Sequence, residues 1–328
     1  MAARHHLTPG GIRMRWALWL LVAVAIGACT TDGALPPQSP ETTEPSTSTS
    51  TTIANPPTTA RSTTTTTLLE APEPYPGAAT GACRPDPFAG SAPGDLGRRY
   101  PGRDLTAHIY DIGTGCEYSL NPENRQSTAS VFKVLVMAGT LLEAQQSDRD
   151  INEPEMARLM PMITESANWP VRALWRSFGG SPWFRETGAT FALSETSITA
   201  DGGSAWGATR TSAADQVHLL RQVLLGDGGP LDEDSRQLAF ELMTSVVANQ
   251  TWGITAGVPK SWTVAQKNGF AGKIINSVGW VDPPGPEEGY LIAILTYGWP
   301  SHAAGISAVE FISAMAAAAM IDTVPGAR

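Results

Sequence analysis

Within residues 126–139, QSTASVFKVLVMAG, Ser130 precedes Lys133 by three positions. The chain has only four lysines beside eighteen arginines, and this one interrupts an apolar run. An ammonium group is costly to bury, so a lysine there needs an exposed face or a task. If Ser127 or Thr128 caps a helix, Ser130 falls in its first turn and Lys133 one turn on, along the same face. Free N–H groups at a helix start favour negative charge near the serine oxygen. Packing against Val131, Phe132, Val134 and Leu135 would strip water from the amine and lower its pKa. A neutral lysine can take a hydroxyl proton, which makes the pair a candidate nucleophile and base. Spacing alone is weak support, because roughly one Ser-x-x-Lys arises by chance in a domain of this size.

Two further clusters add to it. Ser166, Ala167 and Asn168 stand in ITESANW at a predicted helix junction, and Lys267, Asn268 and Gly269 stand in VAQKNGF on a predicted strand. A serine-plus-lysine acyl-transfer site needs a second hydroxyl to relay a proton, an amide to hold the substrate and a cation for an anionic group. It also needs a strand edge that supplies an oxyanion N–H. Ser166, Asn168, Lys267 and the backbone at Phe270 could provide these in turn.

The elements that would position these residues follow from pattern. LTAHIYDIGTGCEYSLNP reads as two strands around a Gly-rich turn. Helical periodicity covers 127–144, 153–165, 169–178, 212–225 and 233–247. Strands return in WTVAQKNG, INSVGWVD and YLIAILTYG, and an Ala-rich helix occupies 305–321. Strands at both ends and helices between them predict an α+β fold: an antiparallel sheet built from both chain ends, beside an all-helical lobe. Trp206, Trp252, Trp262 and Trp280 read as core or lobe-interface residues.

The N-terminus predicts export. Arginines at 4, 13 and 15 precede an apolar run from Trp16 to Ile26, too short to span a membrane comfortably. Its ending at Cys29 resembles the bacterial lipobox, so residues 1–29 are expected to be a lipoprotein signal peptide with Cys29 lipidated. Residues 30–98 are rich in Thr, Ser and Pro and predict a disordered stalk. Residues 99–328 are left as the catalytic domain. Cys83 and Cys116 form an even pair, which in an oxidising compartment predicts one disulfide. No Cys/His cluster has metal-ligand spacing, and His108, His218 and His302 are scattered, so no metal or cofactor and no His-based triad is expected. A net charge of −9 without basic runs argues against nucleic acid.

The order STASVFK, then SAN, then KNG, resembles the class A β-lactamases, within the serine β-lactamases and penicillin-binding proteins. The resemblance spans residues 100–322 and implies a serine β-lactamase/transpeptidase-like fold. It implies Ser130 as acylated nucleophile, Lys133 as its base and Ser166 as proton shuttle. Asn168 and Lys267–Asn268–Gly269 would be substrate contacts, and the N–H groups of Ser130 and Phe270 the oxyanion hole. It implies Glu195, in LSETSIT, as the deacylating carboxylate. Three departures accompany it: Ala167 replaces an aspartate, Asn268 replaces a hydroxyl residue, and INSVGWV carries no arginine. The expectation is an exported, membrane-anchored, monomeric serine hydrolase acting on β-lactams or related amides and esters. A peptidoglycan-directed D,D-peptidase or transpeptidase is one alternative, and a non-catalytic envelope-binding module on the same fold is another.

Overall fold

The computed structural model describes residues 82–198, 205–284 and 289–321. The expected signal peptide, the lipobox Cys29 and most of the stalk lie outside these residues. The chain runs through α1 (Ala92–Arg99), β1 (Asp104–Asp111), β2 (Glu117–Leu120), β3 (Gln126–Ser127), α2 (Phe132–Gln146), α3 (Glu153–Thr164), α4 (Trp169–Ser177) and α5 (Ser181–Thr190). It continues through β4 (Arg210–Thr211), α6 (Ala213–Leu220), α7 (Glu233–Thr244), β5 (Thr263–Ala271), β6 (Ile274–Asp282), β7 (Tyr290–Tyr297) and α8 (His302–Ile321).

Five strands make an antiparallel sheet in the order β2-β1-β7-β6-β5. Both chain ends contribute, as the sequence predicts. The near-continuous apolar run of β7 follows from burial on two faces. Successive side chains point opposite ways: Leu291, Ala293 and Leu295 enter the core shared with the helical lobe. Ile292 and Ile294 enter the core beneath α8. Along α8, Gly305 marks the closest approach, since a Cβ there would stand 2.2 Å from the Ile275 side chain.

The other core centres on α2, buried around nearly its whole circumference. Helix α3 begins at a capping box between Asn152 and Glu155, worth about 1 kcal/mol. Helix α5, which periodicity does not reveal, opens with Pro182 in its first turn and buries Phe184, Thr187 and Gly188. Its apolar positions are too sparse to stand out in the sequence.

The folded body starts earlier than residue 99. Phe88 and Leu96 are buried in the core beneath α8, and Cys83 is bonded to Cys116. Residues 82–98 therefore belong to the domain and not to a stalk.

Candidate active site

Ser127 is not a helix cap. It belongs to β3, which pairs with β4 as Gln126↔Thr211 and Ser127↔Arg210. Ser130 sits in a single 3-10 turn, Ala129–Val131, that leads into α2. Three contacts fix this turn. The Thr128 N–H donates to the Thr209 carbonyl at 2.8 Å. The Asn276 side-chain amide, from β6, donates to the carbonyls of Ser127 and Thr128 at 2.9 and 3.0 Å. Gly269 presses against the turn from β5: a Cβ on it would lie 2.9 Å from the backbone nitrogens of Ser130 and Val131. Ala129 holds φ at 45°, a left-handed conformation that costs about 1–2 kcal/mol outside glycine. Strain of this kind persists only where the surroundings enforce it.

Lys133 has no solvent exposure. Its Nζ lies 3.0 Å from Ser130 Oγ, 2.8 Å from Asn168 Oδ1, 2.6 Å from the Ser166 carbonyl and 3.3 Å from Ser166 Oγ. Burial lowers its pKa to about 7. Lys267 donates to Ser166 Oγ at 2.9 Å and to the Asn268 carbonyl at 2.8 Å. Burial first, and the Lys133 charge second, hold its pKa well below the usual lysine range. Ser130, Lys133, Ser166 and Lys267 therefore form one unbroken polar chain. Such a chain can take a proton from Ser130 and deliver it to a leaving group beside Ser166.

The loop between α3 and α4 carries Ser166 and Asn168. The Ala167 N–H donates back to Pro161 at 3.0 Å, and Ser166 adopts φ 61°. Glycine or asparagine commonly fills this left-handed position after a helix. A serine there aims both its carbonyl and its hydroxyl at lysines.

Two expected residues are employed elsewhere. Glu195 forms an ion pair with Arg125 and is 36 % exposed, and its N–H donates to Asp215 at 2.9 Å. Among the described residues, no carboxylate bonds Lys133; the Trp206 ring faces Lys133 Nζ instead, 5.2 Å from centroid to nitrogen. Trp206 also stacks on Phe132 at 6.1 Å, so this core tryptophan doubles as a wall of the site. Asn268 is the second correction. Its Nδ2 donates to the carbonyls of Gln250 and Trp252 at 2.8 and 2.9 Å, and its Oδ1 accepts from Ser277 at 2.6 Å. With both amide protons committed, the side chain ties β5 to the 250–252 segment and is not free for a substrate. Asn276 is the residue that the motif reading passes over; a buried asparagine in an otherwise apolar strand is its only sequence signal.

Phe270 is exposed and follows Gly269 on β5, the edge strand of the sheet. An edge strand leaves alternate N–H groups unpaired, so the backbone beside Ser130 can supply an oxyanion donor.

Residues 156–321, half of the chain, match the family described as the beta-lactamase enzyme family. The match takes in Ser166 and Lys267 and begins after Ser130 and Lys133. No curated protein matches the chain significantly in sequence. Among solved structures, a beta-lactamase from Xanthomonas campestris superposes with a TM-score of 0.62 at 18% identity, covering 69% of this chain and 95% of its own. The structure of PBP-A gives 0.60 at 18% identity, with 69% and 94% covered. An ancestral class A beta-lactamase gives 0.60 at 19% identity, with 68% and 96% covered. At these identities the likeness establishes the fold.

Proposed function

The chain belongs to the beta-lactamase enzyme family, and from that premise we propose that it is a serine hydrolase that forms an acyl-enzyme at Ser130 with β-lactams or related amides and esters. The observation that carries this reading is the polar chain Ser130–Lys133–Ser166–Lys267. A lysine with a pKa of about 7 is unprotonated often enough near neutrality to act as base. In acylation, Ser130 Oγ bonds the substrate carbonyl carbon and Lys133 Nζ takes its proton. Negative charge on the carbonyl oxygen is met by the N–H groups of Ser130 and Phe270. The carbon–nitrogen or carbon–oxygen bond then breaks, and the leaving group receives a proton relayed through Ser166. Water later cleaves the ester and restores Ser130.

The second step is the slow one. Glu195 is paired with Arg125 and the indole of Trp206 faces Lys133, which leaves Lys133 as the base for water. This observation favours a second reading, a peptidoglycan-directed peptidase whose acyl-enzyme persists. PBP-A is represented by an acyl-enzyme complex with penicillin G among the similar structures. The exported, lipid-anchored setting read from the N-terminus is compatible with either.

Intact mass of the full chain after mixing with penicillins and cephalosporins tests the proposal. An adduct should form on the native protein and be absent from Ser130→Ala. Labelling that survives in Ser130→Ala would remove the nucleophile assignment. An adduct lasting hours would favour the peptidase reading, and Glu195→Gln should leave its lifetime unchanged.

A further inference from the structure

Among the described residues, five large apolar side chains are exposed: Met160, Trp169, Val247, Phe270 and Tyr297. Scattered singly, such residues need no explanation. Three of these are not scattered. Trp169 follows Asn168, whose Oδ1 holds Lys133. Phe270 follows Gly269, which touches the backbone of Ser130. The Val247 N–H donates to the Thr164 carbonyl at 3.0 Å, two residues before Ser166. They come from the start of α4, the segment after α7, and β5, three separate parts of the chain that converge on one serine. Convergent apolar exposure of this kind marks a binding surface.

The polar groups that would hold an anion beside Ser130 are meanwhile committed. Lys267 is buried and bonded to Ser166 Oγ and the Asn268 carbonyl. Both amide protons of Asn268 are spent on Gln250 and Trp252. β6, the neighbour of β5, carries no cation along Ile274–Asp282. Past Gly269 the surface is aromatic: the Phe270 ring lies 4.5 Å from that of His302, which in turn meets Trp252 at 5.7 Å.

We infer that the site takes an uncharged acyl donor, an ester or amide with no carboxylate beside the scissile bond, whose aryl or alkyl substituent packs against Trp169, Val247 and Phe270. This ranks the donors admitted by the acyl-enzyme reading above and rests on it for the chemistry. Apolar contact and the absence of a free cation act together: the substituent gains buried area, whereas a carboxylate would lose its water without finding a partner.

The test separates docking from acylation. Full-length Ser130→Ala protein is titrated with N-benzylphenylacetamide and with its para-carboxybenzyl analogue, followed by calorimetry. The neutral amide is expected to bind at least about tenfold more tightly, and the difference should shrink to about twofold or less when Trp169→Ser and Phe270→Ser are added. Equal or tighter binding of the carboxylate would overturn the inference, as would a preference that survives both substitutions or an absence of binding by either amide. In parallel, the native chain is mixed with p-nitrophenyl phenylacetate. Ser130 Oγ should bond the acyl carbon, the ester C–O bond should break, and p-nitrophenolate should leave while Lys133 holds the serine proton. Failure of Ser130-dependent nitrophenolate release would sink the nucleophile assignment and leave the binding comparison to decide the substrate class.

Discussion

At Lys133, burial brings the amine to a pKa of about 7, so near neutrality about half of the molecules carry the free base that Ser130 requires. Acylation by a neutral ester should rise with pH, reach half its maximum near pH 7 and level off above it; a flat profile from pH 5 to 9 would exclude the amine as base. The same shift acts on stability with a definite sign. The unfolded lysine keeps its proton up to about pH 10.5, and the folded one releases it near 7. Between these values the unfolded state binds more protons, so folding gains stability as pH rises from about 7 to 10.5. Below 7 the full penalty of the buried amine is present. Lys133→Met should therefore melt several degrees higher at pH 7 and lose at least about 10²-fold in acylation rate. A lower melting temperature would mean that the hydrogen bonds to Ser166 and Asn168 outweigh desolvation. Ser130, Lys133, Ser166 and Lys267 were legible in sequence because their types and order are constrained by one chemistry. Glu195 and Asn268 were misread because a side chain's role depends on which partner it reaches. Arg125 lies 70 positions from Glu195 and Gln250 lies 18 from Asn268, and no local spacing announces either contact.

Among the elements, the strands and long helices could be read from periodicity, but the join between them could not. The two-residue ribbon β3–β4 is too short to leave a pattern, yet it anchors the turn that carries Ser130. Ser127 and Thr128 look like helix caps; the ladder claims Ser127 instead, and Ala129 turns left-handed before the helix begins. The mutual fit of β5 and this turn depends on Gly269. In Gly269→Ala the new Cβ would meet three backbone atoms at 2.9–3.0 Å, and backbone cannot yield as a flexible side chain does. A shift of the edge strand by about 1 Å should lower acylation by about 10²-fold with the core unaffected. Stopped-flow labelling alongside circular dichroism would check it; wild-type rates in a folded variant would show that strand placement is not limiting.

For the molecule as a whole, sequence reading gave the α+β class and the sheet made from both chain ends, but drew the domain boundary too late. Composition shifts from Thr/Ser/Pro richness only gradually, and one phenylalanine and one leucine, Phe88 and Leu96, are all that mark the segment as core. The Cys83–Cys116 bond closes a loop of 33 residues and holds this segment to the start of β2. Loop entropy places its contribution at ~3–4 kcal/mol. Cys83→Ser should lower the melting temperature by about 10 °C while leaving acylation at room temperature within about twofold; an unchanged melting curve would mean that the segment is held by packing alone.

The pairing of β1 with β7 sets a schedule. Asp104 faces Tyr297 and Asp111 faces Tyr290 across that ladder, so one of the first strands to be synthesised waits for the last before it has a neighbour on that side. A growing chain that has reached β5 already contains Ser130, Lys133, Ser166 and Lys267, but the sheet that brings them together is two strands short. Reactivity is thus withheld until the final strand emerges, and a product truncated anywhere before residue 290 carries every reactive side chain and remains chemically silent.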